Sequence, residues 1–347
     1  MPQYVFAGID NRIKVDALCR AHAWNWLVSF KDFRTNGGIK LLKYMLEMRH
    51  DAPGDSVFLL DSGAFSVWNT GISISLWEYI EFVLKWNDVF TACICLDVID
   101  NPIVSEINHR VMQLAGCKDI MPVFHSGEPQ KILEMFSGRN YGYVGLSPNN
   151  AWPTRDKIMW LDSIAYTVSK LNMRNHLLGC SSLPLISQFG NMIYTFDSTS
   201  WILVGALGNI IDPITCTSIW GISQQQNTPQ NPKAFRYTTR EVVNAVEQVC
   251  NTLTINIDDL CSSDRARYSY NASLLSSFVF TSYQERSRPL DLFSPDTDYG
   301  YIAPTSAQLF NDKYLDAEAL RLFKTRAEIH IDTIGAGTGS SNIRGSI

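Results

Sequence analysis

Short apolar segments recur along the first two hundred residues, each followed by an amphipathic stretch, and most end in a glycine or a polar residue. Such segments, separated by helical patterns, pair as parallel strands, because each intervening helix carries the chain back to the edge where the last strand began. They read as Trp24–Phe30, Val57–Leu60, Ala92–Leu96, Met121–Phe124, Tyr143–Leu146, His176–Leu178 and Ile193–Phe196. Unbroken alternation with right-handed crossovers favours a closed barrel, an α/β (β/α)8 TIM-like fold, over an open sheet. The eighth strand is expected after Asp197, over Thr252–Ile257.

Three of the strand tips carry an aspartate: Asp61 in Leu60-Asp61-Ser62-Gly63-Ala64-Phe65, Asp97 after Leu96, and Asp197 after Phe196. A carboxylate at the carboxyl end of a buried parallel strand points to the face where such barrels do chemistry. Each acid also has a plain structural reading. Asp61 suits a turn, Asp97 could cap the helix opening at Pro102, and Asp197 stands like an N-cap before Ser198-Thr199-Ser200. Their shared position at one mouth of a barrel favours a site.

Between the strands, Leu41–Met48 reads as a helix, and Ser75 with Glu78 forms the pattern of a capping box ahead of the Leu76, Ile80, Val83, Leu84 stripe. Asn101-Pro102 opens the next helix and Gly116 closes it; Thr154–Leu171 and Thr239–Leu253 are further helices. Beyond Asp197 the pattern loosens. Gly221–Pro232 reads as a loop, Leu274–Tyr283 fits no clear period, and Gly335–Gly345 reads as a flexible tail. The expected organisation is a catalytic barrel over 1–290, a helical extension over 291–334 and a tail over 335–347.

At 347 residues and 46% apolar, the chain can bury a substantial core. No apolar run approaches the roughly 20 residues that cross a bilayer, and Met1-Pro2-Gln3-Tyr4 lacks the features of a secretory signal. The eight cysteines are scattered, with only Cys93 and Cys95 close and on one strand face, which implies a reduced, cytoplasmic chain. A net charge of −5 argues against nucleic-acid binding by bulk electrostatics. Local basic clusters qualify that: Arg265 and Arg267 beside Tyr268 and Tyr270, then Arg286 and Arg288, then Lys313, Arg321, Lys324 and Arg326. Each reads first as a solvated helix face, and the Arg265, Arg267, Tyr268 group second as a contact for a nucleic-acid strand.

In order, the tips are Asp61-Ser62-Gly63-Ala64-Phe65, Asp97, His125-Ser126-Gly127, Gly145-Leu146-Ser147, Gly179-Cys180 and Phe196-Asp197-Ser198. Over Trp24–Trp201 this series resembles the tRNA-guanine transglycosylase superfamily, including its 7-deazaguanine DNA transglycosylases of phages and bacterial islands. The chain departs from the tRNA branch twice. The zinc-binding cysteine cluster is absent, since Cys216, Cys250 and Cys261 are isolated, and Ser198-Thr199-Ser200-Trp201 replaces the branch's Pro-Thr-Arg. Both departures favour DNA as the substrate.

The resemblance implies a pentosyltransferase, with no metal or other cofactor, that exchanges guanine in DNA for free 7-cyano- or 7-aminomethyl-7-deazaguanine. It implies Asp197 as the nucleophile of a covalent glycosyl-enzyme intermediate and Asp61 as the general acid/base. Asp97, an acceptor-only fork, would select the N1–H and 2-amino donors of guanine-like bases. Ser62, Phe65, His125, Ser126, Gly145, Leu146 and Cys180 would complete the base pocket, and a duplex target would be flipped out of its stack. A bacterial cytoplasm hosting a phage is the implied setting, with a homodimer or a partner subunit left open. The alternatives are a tRNA-modifying enzyme without zinc and a non-catalytic barrel that binds nucleic acid. An aldolase-type barrel is disfavoured because no lysine is read at a strand tip.

Overall fold

A computed structural model describes residues 2–64, 73–99, 101–137, 141–171, 173–180, 182–215, 217–219, 222, 239–286 and 312–335. Nine strand segments form one parallel sheet: β1 Gln3–Phe6, β2 Trp26–Ser29, β3 Phe58–Asp61, β4 Ala92–Ile94, β5 Ile120–Met121, β6 Val123–His125, β7 Tyr143–Ser147, β8 Arg174–Leu177 and β9 Thr195–Ser198. Their order in space is β5-β4-β3-β2-β1-β9-β8-β7-β6. The two ends of that order are consecutive in the chain. β5 and β6 are halves of one stretch divided at Pro122, which has no N–H to give a ladder. On one side the Met121 carbonyl accepts from Cys95 N at 2.9 Å; on the other the Pro122 carbonyl accepts from Gly145 N at 2.8 Å. The sheet therefore closes on itself as a (β/α)8 barrel of eight staves.

Residues alternate between two apolar environments with the period of two that a strand imposes. Val5, Leu27, Leu59, Ile94, Met121, Val123 and Tyr143 fill the barrel's interior. Their neighbours Phe6, Trp26, Val28, Phe58, Leu60, Phe124, Val144 and Phe196 pack outward under the helices. Both faces are dry, so the strands read in sequence as continuous apolar runs.

Two expectations are corrected here. The first strand is Gln3–Phe6, not Trp24–Phe30, and it closes the barrel by pairing with both β2 and β9. Thr252–Ile257 is not the eighth strand: a helix ends at Leu253, Thr254 takes a left-handed conformation at φ 54°, and a new helix starts at Ile257. Asp197 thus lies on the last strand of the barrel, beside the first.

The helices are α1 Arg12–Arg20, α2 Asn36–Met48, α3 Leu76–Lys85, α4 Pro102–Leu114, α5 Lys131–Ser137, α6 Thr154–Lys170, α7 Leu183–Phe189, α8 Ser200–Ala206, α9 Arg240–Leu253, α10 Ile257–Ser262, α11 Asp264–Arg286 and α12 Asp312–Gly335. A short antiparallel pair, β10 Ile210–Ile211 and β11 Ser218–Ile219, follows α8. The unassigned apolar stretch Leu274–Tyr283 belongs to α11, which packs on α1, α8 and β1 and completes the helical shell where the barrel closes. The capping box at Ser75 does not form: Ser75 makes no side-chain cap bond. Glu78 turns instead to Arg34, with bonds of 2.9 and 3.0 Å.

Helix α12 packs on α4. Buried Arg110 of α4 bonds Glu106 at 2.8 Å within its own helix and Asp312 at 2.6 Å, and also pairs with Asp316. Residues 287–311, the tail beyond Gly335 and nearly all of the Gly221–Pro232 loop lie outside the described residues. Among the described residues no helix is long and apolar enough to cross a membrane.

Candidate active site at the carboxyl ends of the strands

A cavity of about 320 Å³ opens where the strands end, lined by residues from or just beyond β1, β2, β3, β4, β6, β7, β8 and β9. That volume falls in the range of small-molecule pockets. Its floor is apolar, from Leu27, Ile94, Val123 and Leu178, and its walls carry Asp61, Asp97 and Asp197 together. Asp61 and Asp197 take inward positions on β3 and β9; Asp97 lies three residues past β4, after a tight turn in which its N–H donates to the Cys95 carbonyl at 2.8 Å.

Asp61 ends β3 and accepts from the backbone N–H of Gly63, the turn-type bond its Ser-Gly sequel suggests. Burial nevertheless pushes its carboxyl up to about 6, and the charges of Asp97 and Asp197 act in the same direction. Asp97 is buried, with Oδ2 2.8 Å from His125 Nε2. It does not cap α4; Asn101 does, accepting from Val104 N at 3.2 Å. Asp197 is no helix cap either. Its Oδ1 accepts from Gly179 N at 2.7 Å. The same oxygen lies 3.2 Å from Nε2 of His176, a histidine with no exposed surface. Two of the three acids thus face a histidine.

Gly179 carries a backbone requirement. Its φ of +63° is left-handed, and a Cβ there would stand 3.0 Å from Asn150 Nδ2 and 3.2 Å from Asn150 Oδ1. Gly179→Ala is expected to cost about 1–2 kcal/mol in backbone strain, and to pull the Gly179 N–H off Asp197. Thermal denaturation reads the first effect, and a wild-type melting temperature would refute it.

The other expected site residues divide. His125 lines the cavity. Gly145 faces inward beneath the floor: a Cβ on it would meet Leu178 and Val123 at 3.2 Å. Four residues are corrected. The Ser62 hydroxyl is fully buried and faces the amide of Ala64 at 3.4 Å. Leu146 packs outward under the helices, and its carbonyl is taken by Leu178 N at 2.9 Å. Cys180 also belongs to the outer layer, and burial raises its thiol pKa. Ser126 is not among the lining residues; its N donates to the Ser147 carbonyl at 2.9 Å. Phe65 lies outside the described residues.

Two of the three expected nucleic-acid contacts are corrected as well. Arg267 is 3% exposed, and its guanidinium bonds the carbonyls of Gly205 at 2.7 Å and Leu260 at 2.8 Å. Tyr268 is 8% exposed and meets Trp201 edge-on at 5.9 Å. Both hold α11 to the barrel. Arg265 is half-exposed and pairs with Asp16 of α1 at 3.2 Å.

Lining residues that escaped the sequence reading include Asp10, Ser29, Lys31, Asp32, Asn150 and Thr199. Lys31 lies two residues past the end of β2, so the cavity does hold a lysine, contrary to expectation. Lys31 directly follows the expected strand Trp24–Phe30, so it was legible at that tip in the sequence. Asp32 is also raised above the ordinary carboxyl range, chiefly by burial. Among the described residues, no three His, Cys, Asp or Glu side chains group as metal ligands would.

No protein-family model matches the chain, and no curated protein matches it. Fold and cavity define the class by themselves: a (β/α)8 barrel with an acidic pocket at the carboxyl ends of its strands.

Proposed function

We propose that this chain is a pentosyltransferase that exchanges guanine in DNA for a free 7-deazaguanine base. The observation that carries the reading is the convergence of Asp61, Asp97 and Asp197, far apart in sequence, on one cavity. Base exchange with retention needs a nucleophile on one side of the sugar carbon and a proton manager on the other. Asp197 forms the bond to C1′ as the bond from C1′ to the purine nitrogen breaks, and the electron pair leaves with the base. Asp61 supplies the proton that the departing nitrogen takes up. A carboxyl with a pKa of about 6 is ionised in most molecules at pH 7 but protonated in a minority, so it can give a proton to the departing base and take one from the arriving base, which suits both halves of the exchange. The incoming base then gives its proton to Asp61 and displaces Asp197 from C1′.

Asp97 is suited to the guanine edge. One of its oxygens is engaged by His125, yet a carboxylate has about four acceptor positions and can still take two donors from a base. The apolar floor of Leu27, Ile94, Val123 and Leu178 offers a surface for the flat ring.

The test is direct. Purified protein is incubated with duplex DNA, single-stranded DNA or tRNA, each with labelled guanine, 7-cyano- or 7-aminomethyl-7-deazaguanine, and the nucleosides are analysed after digestion. Label in DNA supports the proposal, label in tRNA alone transfers it to a zinc-less tRNA enzyme, and no label in any arm overturns it.

A further inference from the structure

We infer that His176 is a positioning residue for Asp197, anchored by Thr195 and set by the Asp197 carboxylate in the tautomer that carries its proton on Nε2; its catalytic half rests on the function proposed above. His176 and Thr195 are register partners on β8 and β9. Both are fully buried, and His176 Nδ1 lies 2.9 Å from Thr195 Oγ1. On its other side, Nε2 lies 3.2 Å from Asp197 Oδ1.

Only one neutral tautomer suits both neighbours. With the proton on Nδ1, the bare lone pair of Nε2 would face a carboxylate oxygen in a dry interior, which is repulsive. With the proton on Nε2, the ring donates toward Asp197 and Nδ1 accepts the Thr195 hydroxyl proton. The Nε2 contact is out of line for a full hydrogen bond, as catalytic contacts often are until substrate bonds tighten them.

The series of hydroxyl, imidazole and carboxylate has the membership of a hydrolytic triad with the roles reversed. Thr195 does not line the cavity, whereas Asp197 does. Gly179 N–H and His176 Nε2–H both address Oδ1. That leaves Oδ2 to form the bond to C1′. The two donors then stabilise the carboxylate when it departs in the second half of the exchange.

The test has a readout independent of turnover. Protein labelled with 15N in its histidine rings is examined by NMR, with the His176 signals assigned by their loss in His176→Gln. The expected result is a protonated Nε2 and a bare Nδ1, with that preference lost in Asp197→Ala. A proton on Nδ1, or on both nitrogens, overturns the inference.

Kinetics supply the second readout. His176→Leu is expected to lower kcat about 100-fold, the scale of a misplaced reacting group, with KM for the free base unchanged. His176→Gln, which keeps a donor near the Nε2 position, is expected to recover most of that loss. Equal activity of the two variants overturns the positioning role. Should His176→Leu fail to fold, Thr195→Val carries the same comparison, with kcat expected to fall and KM to hold. If the wild type transfers no base while the tautomer is as stated, the proposed function fails and the tautomer assignment stands.

Discussion

Asp197→Asn is expected to abolish base exchange, by on the order of 10⁴-fold or more in rate, while leaving the barrel folded. The substitution is close to isosteric. The asparagine carbonyl can still accept from Gly179 N, so the bond that holds the tip of β8 to β9 survives. What disappears is the anionic oxygen that forms the bond to C1′, since a neutral amide is a poor nucleophile. Mass spectrometry of the protein mixed with substrate DNA should show a protein–DNA adduct for the wild type and none for the variant. Persistent exchange by Asp197→Asn would remove Asp197 from the mechanism. The variant also changes its neighbour. Because the Asp197 charge helps to raise Asp61, the Asp61 carboxyl is expected to titrate at lower pH in Asp197→Asn than in the wild type.

Asp61→Asn is expected to make the protein more stable at neutral pH and far less active. The Asp61 carboxyl titrates at about 6 in the folded chain against 3.8 ordinarily, so between those values the native state binds a proton that the unfolded chain has released. A group raised in this way favours the native state fully below pH 3.8 and loses that advantage as pH climbs through about 6. Above that, the ionised, partly buried carboxylate works against folding by at most about 3 kcal/mol, from two pKa units at about 1.4 kcal/mol each. Asparagine removes the charge. Asp61→Asn and wild type should therefore melt together near pH 3.5 and separate above pH 6, with the variant higher. Equal melting temperatures at pH 7.5 would show that Asp61 is not held out of its ordinary range. In activity, the wild-type pH–rate profile should have a limb near pH 6. The variant should lack that limb and run about 10²-fold or more slower, the scale of a lost general acid.

Several parts of the fold were legible because their signals are local. Asn101-Pro102 marks the start of α4, with the Asn101 side chain bonded to Val104 N. The strand tips Asp61 and Asp97 were readable because turn chemistry and apolar runs lie side by side in the chain. β1 was not. It is four residues long and is recognisable as a strand only by the partners it acquires, β2 on one side and β9 on the other. Thr252–Ile257 has the β-branched look of a strand, but Thr254 ends a helix there in a conformation that propensity does not foresee. Arg267 and Tyr268 looked like a surface patch by composition. Whether they face solvent depends on how α11 lies against α8, and it lies so that both are buried.

The sequence by itself determined the alternation of strand and helix, the closed parallel architecture and the placing of acids at strand ends, because each follows from a period or a turn spanning only a few residues. The tertiary structure alone decided where the barrel closes, which histidines Asp97 and Asp197 meet and which basic residues are buried. Those outcomes depend on register between strands. The bond from Gly179 to Asp197 joins residues 18 apart and the pairing of β1 with β9 joins residues nearly the length of the barrel apart. A shift of one residue in either strand would turn every side chain to the opposite face.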